Sequence, residues 1–289
     1  MSARPDLDAV ERCLGAFARI FARPDADGLA AAFETYRLTQ VQLNLSALGL
    51  PTIPPGDDLD SVDLAAIRAS FERRDQVMWG ASATYNTSHP DPARRAAETQ
   101  CAARYIAAMG PLGVSAATLC SGSRNPHDMW GRDLDTASEA AWRDFRASLD
   151  ELLPAAVAAG VMLAIEPEPA NTVSDATRAV RLVDELGNDA ERIGFILDSA
   201  NLISDVDAAD HVSTLEHAFD VLGDRTICLH AKDVVPWSQT LGGHGVVNYD
   251  LVARLHAGLP RRVPLIIQDA TETELPGVRE LLARALHDR

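Results

Sequence analysis

The 289-residue sequence holds only four cysteines, Cys13, Cys101, Cys120 and Cys228, and no two of them stand in CxxC spacing. Their spacing suggests neither a disulfide framework nor a cysteine-built zinc knuckle, so reduced, mostly buried thiols are expected. Long basic runs are missing too. Arg73-Arg74, Arg94-Arg95 and Arg261-Arg262 are isolated pairs in a chain of net charge -16, and that field repels a phosphate backbone or an anionic lipid surface. Nucleic acid and membrane are therefore not expected partners. No apolar run approaches the roughly 20 residues that span a bilayer. The opening MSARPDLDAVERC has no basic segment leading into an apolar one, and a cytoplasmic location is expected. Glycine-rich phosphate loops are also absent, since no GxGxxG or GxxxxGK[ST] follows any strand-like run.

What is present is an ordinary globular composition, 47% hydrophobic and 24% charged, arranged in alternating short β-rich and longer Ala-rich amphipathic runs. The strand candidates are Leu14 to Ile20, Val41 to Leu45, Val77 to Ala83, Val114 to Leu119, Met162 to Glu166, Ile193 to Asp198, Thr226 to His230 and Val263 to Gln268. Helical spacing is clearest over Pro92 to Met109, Ser138 to Ala159, Ser174 to Leu186, Val212 to Leu222, Tyr249 to His256 and Pro276 to His287. Two further helices are expected near Ala26 to Tyr36 and Val62 to Arg73. Eight βα units close into a barrel, which typically needs about 250 residues, whereas a doubly wound sheet usually stops near six strands. The expectation is one α/β domain over 1–289, a single (β/α)8 TIM barrel, with no low-complexity linker dividing it.

In a parallel barrel the chemistry sits at the C-terminal ends of the strands. The last four candidates end in Glu166 (LAIEPEP), Asp198 (FILDSANL), His230 (CLHAKD) and Gln268 (LIIQDA). Any one of these could simply cap the next helix. Together, at one depth on one rim, they form an N/O ligand set for a single divalent ion, with Mn2+ first and Mg2+, Co2+ or Zn2+ as alternatives.

The ordered set IEP, LDSAN, HAKD and the loop Gly243-His244-Gly245 resembles the xylose isomerase-like superfamily of sugar isomerases and epimerases. Inosose dehydratases and endonuclease IV-like enzymes belong to the same superfamily. The resemblance runs from about Asn86 to the C-terminus. It implies a metal held by Glu166, Asp198, His230 and the residue at 268, where the sugar epimerases carry Glu and this chain has Gln268. An amide offers a carbonyl oxygen but is no base at neutral pH. Asn201 stands where relatives often have His, so it can bind a substrate hydroxyl but is a poor proton carrier; the missing histidines also argue against DNA repair. Glu166 is implied as both ligand and base for proton removal next to a carbonyl, giving an enediolate. Glu168, Lys232 and His244 are the candidates for the second proton-handling group.

The loops YNTSHPDP and CSGSRNPHDMWGRD offer Asn86, His89, Arg124, His127 and Trp130 as a substrate wall. Trp among polar groups suits a carbohydrate or cyclic polyol, and a single Arg favours an unphosphorylated one. With residue 268 an amide, an inosose dehydratase-type lyase and a non-catalytic ligand-binding barrel stand as alternatives to an epimerase. Homo-oligomers are expected from the resemblance.

Overall fold

The computed structural model describes residues 11–235 and 238–287. Eight parallel strands form a closed barrel: β1 (Leu14–Phe17), β2 (Gln40–Leu43), β3 (Val77–Ser82), β4 (Ala116–Cys120), β5 (Met162–Glu166), β6 (Ile193–Asp198), β7 (Thr226–Ala231) and β10 (Leu265–Ile267), with β10 closing onto β1. A small antiparallel hairpin, β8 (Asp233–Val235) and β9 (Ser238–Thr240), sits between β7 and the next helix. All eight expected barrel strands are found. The first stops three residues early because Ala18–Ile20 tightens into a 3-10 turn, and the last is trimmed so that Gln268 lies just beyond it.

The main surrounding helices are α1 (Ala26–Thr35), α3 (Leu64–Glu72), α4 (Pro92–Ala107), α5 (Glu139–Ala159), α6 (Ala176–Leu186), α8 (His211–Leu222), α9 (Tyr249–Gly258) and α10 (Leu275–His287). Two short ones, α2 (Gly56–Asp60) and α7 (Ser199–Ile203), were not foreseen. The acidic excess has a local use at their starts. Asp25, Asp63, Asp91 and Asp175 each accept a hydrogen bond from a first-turn backbone N–H, satisfying donors that the helix cannot pair and placing negative charge at the positive end of its dipole. Among the described residues no helix is long and apolar enough to cross a membrane.

Inside the barrel, Phe17, Trp79, Ala116, Ala164, Ile196, Cys228 and Ile266 pack into one buried layer. The strands' outer faces join the helices in a larger core that includes Leu14, Val41, Ile165, Phe195 and Leu229. Gly15 on β1 shows how tightly the barrel closes, because a Cβ there would lie 2.0 Å from the Gln40 carbonyl oxygen.

Candidate metal centre at the barrel mouth

Side chains alternate across a strand, so the residue two beyond each interior residue also points inward, one layer nearer the mouth. Ala164 is followed in this way by Glu166, Ile196 by Asp198, Cys228 by His230 and Ile266 by Gln268. Strand register brings them level: Asp198 pairs with His230 and Cys120 with Glu166.

The result is a compact cluster. One ligand-type atom each from Glu166, Asp198 and His230 lies within 4.8 Å of the others. His230 Nδ1 is 3.2 Å from Glu166 Oε2 and 4.0 Å from Asp198 Oδ2. Asp198 Oδ1 accepts from the backbone N–H groups of Ala200 and Asn201 at 2.8 and 3.1 Å, which fixes the carboxylate on the start of α7. Its other oxygen, Oδ2, and His230 Nδ1 are both buried with no hydrogen-bond partner among the described residues. Two orphaned polar atoms facing one point beside a third carboxylate oxygen fit a divalent cation. The far side of the imidazole is also anchored, since His230 Nε2 lies 2.8 Å from Gln42 Oε1 on β2. With a cation bound, that contact would keep the imidazole proton on Nε2 and leave the Nδ1 lone pair for the ion. Gln268 sits on the same far side, its Nε2 3.4 Å from His230 Nε2.

Lys232 adds the local positive charge. Its Nζ is 3.4 Å from Asp198 Oδ2 and its side chain is buried. It is the sole lysine in a chain with 26 basic residues. Burial works against its charge, but Asp198, Glu166 and Glu168 outweigh burial and hold its pKa above the ordinary value. Burial pushes Asp198 up to about 6 against the pull of Lys232. Burial also raises Glu168, to about 8, with Lys232 opposing and Glu166 adding repulsion. Glu166 shows the reverse balance: burial favours its neutral form, yet His230 and Lys232 bring its pKa below the ordinary value. Asn201 Nδ2 donates to Glu166 Oε1 at 2.8 Å, so one carboxylate oxygen is held while the other faces the cluster.

The cluster opens into a cavity of about 540 Å³ at the mouth. Glu166, Glu168, Lys232, Gln268 and Trp130 line it, and Asn201 meets it through Glu166. The other loop residues expected in the substrate wall are placed differently. Asn86 Oδ1 accepts from Ser88 N and Ser123 N, tying the loops after β3 and β4 together. Gly122 is required there, for a Cβ on its left-handed backbone (φ 67°) would meet Asn86 Oδ1 at 2.2 Å. His89 accepts from Asp91 N and lies 3.3 Å from the Pro126 carbonyl, while Arg124 pairs with Asp144 at 2.7 Å. His127 is exposed beside the cavity, and His244 is exposed in the GGHG loop. That loop is organised by Asp233, whose carboxylate accepts from the N–H groups of Val234, Gly243 and Val247. The HAKD and GGHG segments are thus one structural unit, and Asp233 is engaged there while Lys232 turns to Asp198.

Several cavity residues gave no signal in the sequence. Gln42 comes from β2 and Asn44 from just past it, Ser82 from β3 and Thr84 from just past it, Thr118 from β4, and Arg19 from beyond β1. Asp269 takes a left-handed conformation (φ 52°) that costs about 1–2 kcal/mol in a residue with a Cβ, and it receives Arg19 Nη2 at 3.1 Å. The Gln239 amide from β9 lies among Asp269 Oδ2, Lys232 Nζ and Asn201 Oδ1, at 3.2, 3.1 and 3.2 Å.

A family model described as xylose isomerase-like TIM barrel matches residues 41–258. The chain belongs to this family. Among solved structures, it superposes on an L-ribulose 3-epimerase with a TM-score of 0.71 at 14% identity, covering 95% of this chain and 94% of that one. A 3-keto-D-glucoside 4-epimerase from E. coli gives 0.66 at 14% identity over 95% and 97%, and a D-psicose 3-epimerase gives 0.64 at 16% over 95% and 97%. Identities this low establish the shared barrel. No curated protein sequence matches the chain.

Proposed function

We propose that the protein is a divalent-metal-dependent isomerase or epimerase acting on an unphosphorylated keto-sugar or related polyol. The observation that carries this reading is the pair of orphaned, buried atoms, His230 Nδ1 and Asp198 Oδ2, facing Glu166 at the mouth of a xylose isomerase-like barrel. The names of the superposed structures, all sugar epimerases, support it. Glu166, Asp198 and His230 would hold the ion, with manganese first among the candidates, whereas Gln268, the fourth ligand expected from the sequence, lies against Nε2 on the other side of the imidazole. A bound cation would supply Lewis-acid polarisation of a substrate carbonyl.

The chain's own groups divide the remaining work. Glu166 would turn Oε2 to the ion and leave Oε1, steadied by the Asn201 Nδ2 hydrogen bond, to meet a carbon acid. Lys232 places an ammonium where negative charge grows on the substrate oxygen. Glu168 reaches the same cavity and is the carboxyl that returns a proton. Hydroxyl and amide groups of Asn44, Ser82, Thr84 and Thr118 form an uncharged wall suited to sugar hydroxyls. Gln268 favours a second reading, because an amide cannot mirror Glu166 as a base. A dehydratase, which expels a hydroxyl after the same proton removal, needs no such mirror.

Metal analysis of the purified protein tests the reading. About one Mn, Mg, Co or Zn per chain is expected, lost in His230→Ala, with keto-sugar turnover abolished by chelator; NMR of the product separates epimerisation from dehydration. A wild type that takes up no metal on reconstitution refutes it. Gln42 gives a finer measurement. Gln42→Leu removes the acceptor that holds His230 in its Nε2–H form, and partners of this kind are worth about 10- to 100-fold in metal affinity. Titration with Mn2+ should show that weakening, with Gln42→Glu recovering most of it; equal affinities in wild type and Gln42→Leu would remove Gln42 from the site.

A further inference from the structure

Beyond the catalytic cavity, the loop after β3, the start of α4 and the segment 125–130 enclose a second recess of about 320 Å³. It falls within the range of small-molecule pockets, roughly 300–1,000 Å³. Met129 and Trp130 line both spaces, so the two are neighbours with the indole between them.

Trp130 is 47% exposed, although a large aromatic side chain is ordinarily well buried. Its mount is not loose. Asn125 Oδ1 accepts from His127 N and Asp128 N at 3.0 and 3.1 Å, Asp128 Oδ1 accepts from Trp130 N at 3.0 Å, and Asn171 Nδ2 holds the Met129 carbonyl at 2.9 Å. Four hydrogen bonds thus fix the backbone that presents an open ring, and such preorganisation is the arrangement that keeps the entropy cost of ligand contact low. The recess carries no surplus positive charge, because Arg94 is paired with Glu98 at 2.7 Å. His127 stands exposed at its edge. An aromatic face with imidazole and amide edges, and no free cation, suits the C–H face and hydroxyls of a neutral sugar ring.

We infer that this recess is an outer saccharide subsite, and that the substrate is a glycoside: a keto-sugar whose reacting ring lies in the catalytic cavity and whose second ring, joined through a glycosidic oxygen, rests beyond Trp130. The inference deepens the proposed function and rests on it for the identity of the inner ring. His127, which sequence reasoning placed against substrate, then contacts the outer ring.

Calorimetric titration of the manganese-reconstituted full chain with D-fructose and with three glucosyl-fructoses, maltulose, turanose and isomaltulose, tests the subsite. At least one disaccharide is expected to bind about 10-fold tighter than fructose, the combined value of one aromatic contact and its polar edge. Trp130→Ala should reduce that ratio to near one, and His127→Ala should lower it by a few-fold. Equal affinities in the wild type, a disaccharide preference that survives Trp130→Ala, or no binding by any of the four sugars overturns the subsite. Titration records binding rather than turnover, so a disaccharide preference in a protein that converts no sugar would refute the proposed function alone. Turnover of fructose without any disaccharide preference would refute the subsite alone.

Discussion

Lys232→Met is expected to lower kcat/KM by about 10²- to 10³-fold, the usual cost of removing one preorganised donor from a developing oxyanion. The expectation starts from composition: of the 26 basic residues in the sequence 25 are arginine, and the one lysine is kept, buried, at the cavity. A guanidinium would not fit the role, being planar and wider, so Lys232→Arg should not restore the rate. The ammonium serves Asp198 as well, at 3.4 Å. Without metal, Lys232→Met leaves a buried carboxylate without its cation, a loss of about 3–5 kcal/mol. With metal bound, a second cation remains. The variant should therefore melt well below wild type in chelator and recover much of the gap in Mn2+, while its turnover stays low. A single lysine also allows a direct observation, because 15N-lysine labelling gives one side-chain resonance for the whole chain. That signal should remain an ammonium through neutral pH, held so against burial by Asp198, Glu166, Glu168 and Asp269. Wild-type kinetics in Lys232→Met, with a neutral amine in the spectrum, would assign Lys232 to structure alone.

The half of the barrel from β5 onward was legible because its chemistry is written locally. Each strand there runs from apolar residues into a single polar terminus, so Glu166, Asp198 and His230 could be aligned by counting alone; the three lie together, while Gln268, expected with them, sits on the other side of the imidazole. The other half was not legible for a physical reason. Gln42 matters only because barrel closure carries it to His230, 188 residues away in the chain. Nothing in the local pattern QVQLN distinguishes it from a strand residue facing water. Arg19, Asp269 and Gln239 likewise acquire meaning only from one another. The loop residues illustrate the opposite limit. Asn86, His89 and Arg124 carry the right functional groups, but long loops crossing the barrel end must satisfy their own buried backbone donors and acceptors, and these side chains serve that need. Trp130 escaped because its backbone, rather than its side chain, is what the turn holds.

Glu166→Gln should abolish metal binding and lower turnover by about 10⁴-fold, the upper end of what a positioned base contributes. Asn201 decides the geometry of this variant. Its Nδ2 donates to Oε1 of residue 166 at 2.8 Å, so an amide at that position must keep its carbonyl oxygen there and turn its NH2 toward His230 Nδ1 and Asp198 Oδ2. Donor hydrogens then point at the place where a cation would sit, and those two orphaned atoms become their acceptors. A ligand that binds the native state only raises stability by about 2.7 kcal/mol at 100 times its dissociation constant. The wild type is accordingly expected to melt several degrees higher with excess Mn2+ than with chelator, and Glu166→Gln to melt at one temperature in both. Glu166→Asp separates the two roles of the carboxylate. Its charge is retained but drawn back by one methylene, so it should keep a reduced Mn2+-dependent shift while losing most of the rate, since a base displaced by about 1 Å forfeits about 10²-fold. A full Mn2+ shift in Glu166→Gln would place the ion elsewhere and remove the cluster of Glu166, Asp198 and His230 from the chemistry.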